Sequence, residues 1–339
     1  MQRNDLYLTL NPRERVELLD TASRKRGLAT PVLEKDYWVC KTLDVLFNLA
    51  ELGPHLIFKG GTSLSKVYRL IERFSEDVDV SLHRAYLGFG HDRDPETSQG
   101  KEQRRRLQEL EQACRECVRS RLLPAFREAM AESLRETDSW SAELDPADPQ
   151  TILFRYPQAG DGGPSYITPA VRIELGARSD HWPAEKMSIT TYLSDTLDRS
   201  LGGTKVRALA AERTFWEKAT LLHAEAHRTP DKPMPARYAR HYYDLACLAL
   251  SPVAERALAD GELRQRVVEH KSVYFRSAWA RYDLAHPATF RLLPPSERLS
   301  HLKQDHQQME PMFFSTPPTL ENILKTLDQL EQRIRQLTT

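Results

Sequence analysis

A short apolar run, Leu56-Ile57-Phe58, stops at Gly60-Gly61; a helix-compatible stretch follows, and then Asp77-Val78-Asp79-Val80 alternates acid with β-branched residue. This strand–glycine–helix–strand unit constrains the fold more than any other part of the chain. Alternate side chains of a strand share a face, with Cα atoms ~6.8 Å apart. Asp77 and Asp79 therefore point one way, and Val78, Val80 and Leu82 face a core. Two carboxylates ~4 Å apart near a surface repel by roughly 4 kcal/mol at an effective dielectric of about 20. Aiming both at one spot calls for a cation there, and an all-oxygen donor set suits Mg²⁺, or Mn²⁺ in its place.

The glycine pair supplies a complementary feature. Glycine tolerates positive φ and lets backbone approach a ligand closely. Thr62 or Ser63 is expected to cap the following helix, whose first free N–H groups make an anion site. Alone, a Gly-Gly pair or an acidic strand face is common and usually just meets solvent. Together, a phosphate cradle followed by a metal-binding Asp-x-Asp points to phosphoryl or nucleotidyl transfer.

These residues resemble a known family. Lys59-Gly60-Gly61-Thr62-Ser63-Leu64-Ser65-Lys66 and Arg73-Phe74-Ser75-Glu76-Asp77-Val78-Asp79 are similar to the nucleotidyltransferase toxins of the AbiEii/MenT type, part of the DNA polymerase β-like superfamily. Glu34-Lys35-Asp36-Tyr37-Trp38 upstream and Arg240-His241-Tyr242-Tyr243-Asp244-Leu245 downstream fit as well. The spacer between the glycines and Asp77 is longer than in many superfamily members. The resemblance implies an α+β polymerase β-like core joined to a helical C-terminal lobe, with nucleotide in the cleft between them. It makes Asp77 and Asp79 the metal ligands and Lys59, Gly60, Gly61, Thr62, Ser63, Arg73 and Ser75 the nucleotide site. The partners implied are an NTP, an RNA acceptor such as the tRNA 3′ end, and an antitoxin protein of winged-helix type. Growth arrest, in a toxin–antitoxin or abortive-infection system of phage defence, is the implied outcome.

Three more residues are weighed on their own patterns. Glu174 lies on Val171-Arg172-Ile173-Glu174-Leu175, with the apolar residues on the opposite face. The superfamily takes a third carboxylate from a neighbouring strand, which makes Glu174 a metal ligand or general base; the plainer alternative is a solvated face paired to Arg172 or Arg178. Lys218 interrupts the apolar stripe Ala211, Phe215, Leu222 at helical spacing. It either snorkels outward or reaches a triphosphate as a point charge, and its position resembles the family's motif lysine. Asp244 matches the second-lobe acidic position, with Arg240 one turn earlier as its expected partner; His241 stands where many members carry aspartate.

Ser75 is expected on the strand face of Asp77, touching phosphate or a metal-bound water. Phosphorylated, it would add about two negative charges beside the carboxylates, an off switch. Lys66 is weighed as a triphosphate contact against an ordinary helical lysine. Arg104-Arg105-Arg106, with Arg237, Arg240, Arg264 and Arg266, is weighed as an RNA-tracking patch, and solvated faces balanced by glutamates are favoured. Tyr242, Tyr243 and Trp216 could stack bases, although aromatic residues at this spacing are more often core.

Bulk properties set the remaining limits. Lysine plus arginine equals aspartate plus glutamate at 48 each, so no global field attracts nucleic acid. Cys40, Cys114, Cys117 and Cys247 are too sparse for a disulfide scaffold; Cys114-x-x-Cys117 lacks a second pair at zinc spacing and reads as incidental thiols. The opening Met1-Gln2-Arg3-Asn4-Asp5 lacks a signal-peptide core, and no apolar run could span a membrane, so a cytoplasmic location is expected.

Along the chain, Asn11-Pro12 and Thr30-Pro31 signal helix starts in residues 10–50. Residues 88–101 read as a loop and 102–136 as a long helix kinked or split at Pro124. Residues 138–149 read as a polar linker. Strands are expected at 152–156, 171–175 and 188–193, with a turn at 160–164, and helix from about 205 onward. The domains are then 1–204, a nucleotidyltransferase domain with N-terminal helices, and 205–339, a helical domain. The sequence is compatible with two other functions. One is transfer of nucleotide to a protein or small-molecule hydroxyl; the other is a subunit that senses NTP without turnover.

Overall fold

A computed structural model describes residues 5–75, 77–160 and 168–337. Glu76 and most of the expected turn at 160–164 lie outside the described residues. The chain forms two compact units. The first comprises residues 1–67 and 75–208; the second comprises 68–74 and 209–339. The seven residues from Tyr68 to Phe74 thus belong with the second unit although they lie between two strands of the first.

In the first unit, α1 (Leu6–Thr9), α2 (Pro12–Arg26) and α3 (Thr30–Asn48) precede β1 (Leu56–Lys59), α4 (Gly60–Lys66) and β2 (Asp77–Leu82). Asn11 caps α2 in a full capping box with Glu14, and Gly27 closes it in the left-handed conformation, as local chemistry requires. Thr30 is the first residue of α3, with Ala29 at its cap position and no side-chain capping bond.

The long helix divides into α5 (Gly100–Cys117) and α6 (Leu123–Ser133), joined by a wide π-type turn at Val118–Leu122. Pro124 sits in the first turn of α6. Its ring crowds the carbonyl four residues earlier and its nitrogen offers no proton, so the ladder opens just ahead of it.

Two expectations give way next. Residues 138–149 are not a linker: β3 (Ser141–Asp145) pairs antiparallel with β4 (Asp148–Arg155). Nor does helix begin at 205. After β5 (Ala170–Gly176) and β6 (Ala184–Thr190), the strand expected to reach residue 193 ends at Thr190, and Thr191 caps the short α7 (Tyr192–Leu197). A further strand, β7 (Gly203–Leu209), follows before the helical region. The seven strands form one mixed sheet in the order β3-β4-β5-β2-β1-β7-β6.

Register sorts the side chains of this sheet. Phe58 pairs with Val80, Val78 with Ile173, Ile152 with Ile173 and Phe154 with Val171; all are fully buried. Trp38 of α3 and Phe126 of α6 meet Phe154 edge to face at 5.9 and 5.5 Å, pairs each contributing about 0.5–1.5 kcal/mol beyond their buried area. The opposite face is where Asp77 and Asp79 emerge.

The second unit is helical: α8 (Ala211–Ala226), α9 (Ala239–Ala249), α10 (Pro252–Ala259), α11 (Gly261–Tyr274), α12 (Leu299–Gln308) and α13 (Leu320–Arg335). Trp216, Tyr242 and Tyr243 are buried there, so the core reading of these aromatics holds. Residues 68–74 are bound into this unit by backbone. Phe74 N–H donates to Met312 O at 2.6 Å, Phe314 N–H to Glu72 O at 3.1 Å, and Glu72 N–H to the Tyr243 hydroxyl at 3.1 Å. Among the described residues no helix is long and apolar enough to cross a membrane.

Candidate active site

The candidate site is built on the polar face of the sheet in the first unit. β2 runs parallel to β5, with Asp77 opposite Arg172 and Asp79 opposite Glu174. On its other side β2 pairs antiparallel with β1, which puts Lys59 opposite Asp79. In-register residues share a face, so Asp77, Asp79, Glu174, Arg172 and Lys59 stand on one surface while Val78, Val80 and Leu82 are fully buried behind it. Lys59 Nζ lies 4.0 Å from Asp79 Oδ1.

The glycine turn presses against this surface. Gly60 takes φ +79° as β1 turns into α4. A Cβ placed there would fall 2.0 Å from Asp79 Oδ2. Glycine is required twice over, by conformation and by the carboxylate. Gly60 and Gly61 are half-exposed, whereas Thr62 and Ser63 are buried.

The expectation that Thr62 or Ser63 caps α4 is corrected: Lys59 holds the cap position without a side-chain capping bond. The two hydroxyls instead brace the turn. Thr62 donates to the backbone carbonyl of Asp77 and lies 2.8 Å from Ser75 Oγ; Ser63 donates to Gly60 O at 2.9 Å. Ser75 precedes β2 rather than continuing its face, and meets Thr62.

Lys66, weighed as a phosphate contact, lies buried with its Nζ 2.6 Å from Asp36 Oδ1. Tyr192 N–H donates to the other carboxylate oxygen at 2.6 Å. Burial pushes the Asp36 carboxyl up, and Lys66 pulls it back. The Glu34–Trp38 stretch thus anchors α4 from beneath through Asp36.

Arg73, Lys218 and Asp244 come together in the second unit. Arg73 Nε and Nη2 fork onto the two oxygens of Asp244 at 2.8 Å each, and Lys218 Nζ reaches Asp244 Oδ2 at 2.8 Å. Arg73 and Asp244 are 2% and 0% exposed, so this is a buried, bidentate pair with a second cation on it. Burial pushes the Asp244 carboxyl up, but Arg73 and Lys218 outweigh it and hold the group well below the usual carboxylate range. Burial lowers the Lys218 ammonium, which Asp244 only partly offsets. His241 Nδ1 sits 3.4 Å from Lys218 Nζ, its own basicity depressed by burial and by that charge. Where the sequence suggested Arg240 as the partner of Asp244, the carboxylate is held by Arg73 and Lys218.

Sequence reasoning passed over Arg172 as a site residue, weighing it only as a partner of Glu174, and passed over Asp145 entirely. Arg172 Nε is 3.9 Å from both Asp77 Oδ1 and Glu174 Oε1, and its Nη1 donates to Asp145 Oδ2 at 2.7 Å. The alternating Val171–Leu175 pattern was the available signal for Arg172. Asp145 had none, since its strand was not recognised. The arginine run is accounted for locally: Arg105 pairs with Glu102 and Glu109, Arg106 with Glu102 and the Asp92 and Asp94 carbonyls. Cys114 and Cys117 are free and buried.

Among the described residues no three His, Cys, Asp or Glu side chains converge as a metal centre. The donor set nevertheless suits a hard cation. It offers two aspartates on one face with a glutamate in register beside them, and oxygen atoms only. Mg²⁺ is typically held by one or two carboxylates together with substrate phosphates rather than by a closed protein cage.

Comparison with known proteins bears on the family and the fold. The family model described as nucleotidyl transferase AbiEii toxin, type IV TA system, matches residues 42–333. Among solved structures, MenT4, a nucleotidyltransferase toxin from Mycobacterium tuberculosis H37Rv, is similar at a TM-score of 0.54 and 17% identity, covering 95% of this chain and 90% of that one. JHP933 from Helicobacter pylori gives a TM-score of 0.37 at 16% identity, over 89% of this chain and 95% of that one. No curated protein matches. The likeness to MenT4 shows the fold; the family match brings with it nucleotidyltransferase activity, an NTP substrate and an antitoxin partner. With its glycine turn set against an Asp-x-Asp strand and the family match running from the end of α3 to the last helix, this chain belongs to the AbiEii nucleotidyltransferase toxin family.

Proposed function

We propose that this chain moves a nucleoside monophosphate from an NTP to a terminal hydroxyl of RNA, the tRNA 3′ end, as the cytoplasmic toxin of an abortive-infection pair in phage defence. The observation that carries the reading is the placement of Asp77, Asp79 and Glu174 in register on one sheet face, with the Gly60 turn against Asp79. The RNA acceptor is supported by the family resemblance in residues 59–79 and by the chemistry of a free ribose hydroxyl.

Asp77 and Asp79 would hold Mg²⁺, or Mn²⁺, with Glu174 beside them. When bound, the ion supplies charge neutralisation on the triphosphate and orients an in-line displacement. The chain's own groups do the rest. Backbone N–H groups at Gly60 and Gly61 face β- and γ-phosphate oxygens at the start of α4, and Lys59 adds positive charge there. Thr62 fixes the Asp77 backbone. Glu174 takes the proton of the acceptor hydroxyl as its oxygen forms a bond to the α-phosphorus. The bond to the bridging oxygen breaks, and pyrophosphate leaves with the electron pair. Arg73, Lys218 and Asp244 act through the buried cluster that fixes residues 68–74, the stretch leading into β2.

The test is incubation with each α-labelled NTP, Mg²⁺ and total RNA. Label at RNA 3′ ends supports the reading. Label on protein moves the acceptor to a protein hydroxyl, and NTP binding without transfer contradicts the proposal.

A further inference from the structure

Arg172 stands among three carboxylates on the face described above. Its Nε is equidistant, at 3.9 Å, from Asp77 and Glu174, and its Nη1 is tied to Asp145 at 2.7 Å. Asp145 is itself fixed, since its second oxygen accepts from Ala147 N–H at 2.9 Å in the β3–β4 turn. The guanidinium therefore has one firm anchor and two loose partners. Those loose partners are two of the carboxylates to which the proposed function gives the divalent cation and the acceptor proton.

A strand face carrying Asp77, Asp79 and Glu174 would repel itself before any ion or nucleotide arrives. Arginine is the side chain suited to sit among several carboxylates at once, because its charge is permanent and its donors are spread over a planar fork. We propose that Arg172 is a positioning residue, the resident counter-ion of Asp77 and Glu174 on this face: anchored by Asp145, it holds the two carboxylates in place and competes with the divalent cation for them. This inference rests on the metal-binding reading of Asp77 and Asp79. Its distinctive consequence is one of sign. Removing a residue that only supported the fold would weaken metal binding; removing a competitor strengthens it. Freeing Arg172 from its anchor lets it settle fully on Asp77 and Glu174, which weakens metal binding.

The experiment is titration of the full chain with Mn²⁺ alone, counting free ion by paramagnetic resonance, with no nucleotide present. Arg172→Gln is expected to bind Mn²⁺ about tenfold more tightly than the native chain, and Asp145→Asn several-fold more weakly, from the gain or loss of one nearby competing charge. Arg172→Lys, which keeps the charge without the fork, should lie between the native chain and Arg172→Gln. Melting in EDTA and in Mn²⁺ controls for folding: Arg172→Gln should melt lower in EDTA and recover when Mn²⁺ is added. If Arg172→Gln and Asp145→Asn bind like the native chain, or both bind more weakly, while Asp77→Asn/Asp79→Asn abolishes binding, the counter-ion role is overturned and the metal reading stands. If Asp77→Asn/Asp79→Asn binds as the native chain does, or the native chain binds no Mn²⁺, both fall together.

Discussion

The backbone of Gly60 lies so close to the carboxylate of Asp79 that a single added carbon at Gly60 would fall 2.0 Å from Oδ2. Gly60→Ala must therefore displace Asp79 as well as hold an alanine at φ +79°, a conformation costing roughly 1–2 kcal/mol for an L-residue. Nucleotidyl transfer is expected to fall at least about tenfold, since Asp79 is one of the two aspartates proposed to hold the cation that neutralises the triphosphate. Turnover assays beside thermal melting separate the two effects, because the stability loss alone leaves the chain folded at assay temperature.

Lys66 and Asp36 make a buried ion pair beneath α4. Lys66→Met removes one charge and leaves the other in a dry site, which typically costs about 3–5 kcal/mol. Adding Asp36→Asn should restore much of that loss, because asparagine is neutral and its carbonyl can still accept from Tyr192 N–H. Urea denaturation of the single and double variants checks this; a double variant no more stable than Lys66→Met contradicts it.

Asp244→Asn is expected to loosen residues 68–74 before anything else. Arg73 loses the carboxylate charge beneath its fork and two buried cations remain close together, again at a cost of about 3–5 kcal/mol. The backbone amides of Glu72 and Phe74, held by Tyr243 and Met312, should exchange with deuterium far faster than those of α11. Uniform protection across the second unit would contradict this role for Asp244.

Buried histidines contribute to the acid limb of stability in both units, His181 in the first and His223 and His241 in the second. Burial pushes His181 down to about 3 and His223 to about 4. A histidine depressed in the folded state is neutral in both states above its unfolded value of about 6.5. Below that the unfolded chain takes up protons that the folded chain refuses, so stability falls with pH until the folded values are reached. The loss from pH 7 to pH 4 should be on the order of a few kcal/mol. His181→Gln can retain a polar contact to Ser81, now 3.0 Å from His181 Nε2, without gaining charge, and should flatten the acid limb in melts run from pH 7 to pH 4.

The site was legible where chemistry is local. Alternation at Asp77–Leu82 told which face is polar, and Gly-Gly marked the turn. What escaped was long-range or weakly patterned. β3 is an edge strand on which Ala142 is the buried apolar residue, so its composition looks like a linker. β7 buries Thr204, Val206 and Ala208, an alternation masked by Lys205 and Arg207 and by the strong helix beyond it. Pairs such as Lys66 with Asp36 and Arg73 with Asp244 join residues 30 and 171 positions apart. No local periodicity records such pairings, and a lone cation beside a phosphate-type motif reads as a phosphate contact.

The most direct measurement of the central claim is transfer of α-labelled nucleotide to RNA by the native chain and by Asp77→Asn/Asp79→Asn, each confirmed as folded by its melting curve. Both aspartates are partly exposed and their neutral isosteres fit the same strand, so the variant should fold normally and lose at least about a hundredfold in rate, the scale at which removing charge stabilisation acts. A folded double variant that labels RNA as fast as the native chain would contradict the account.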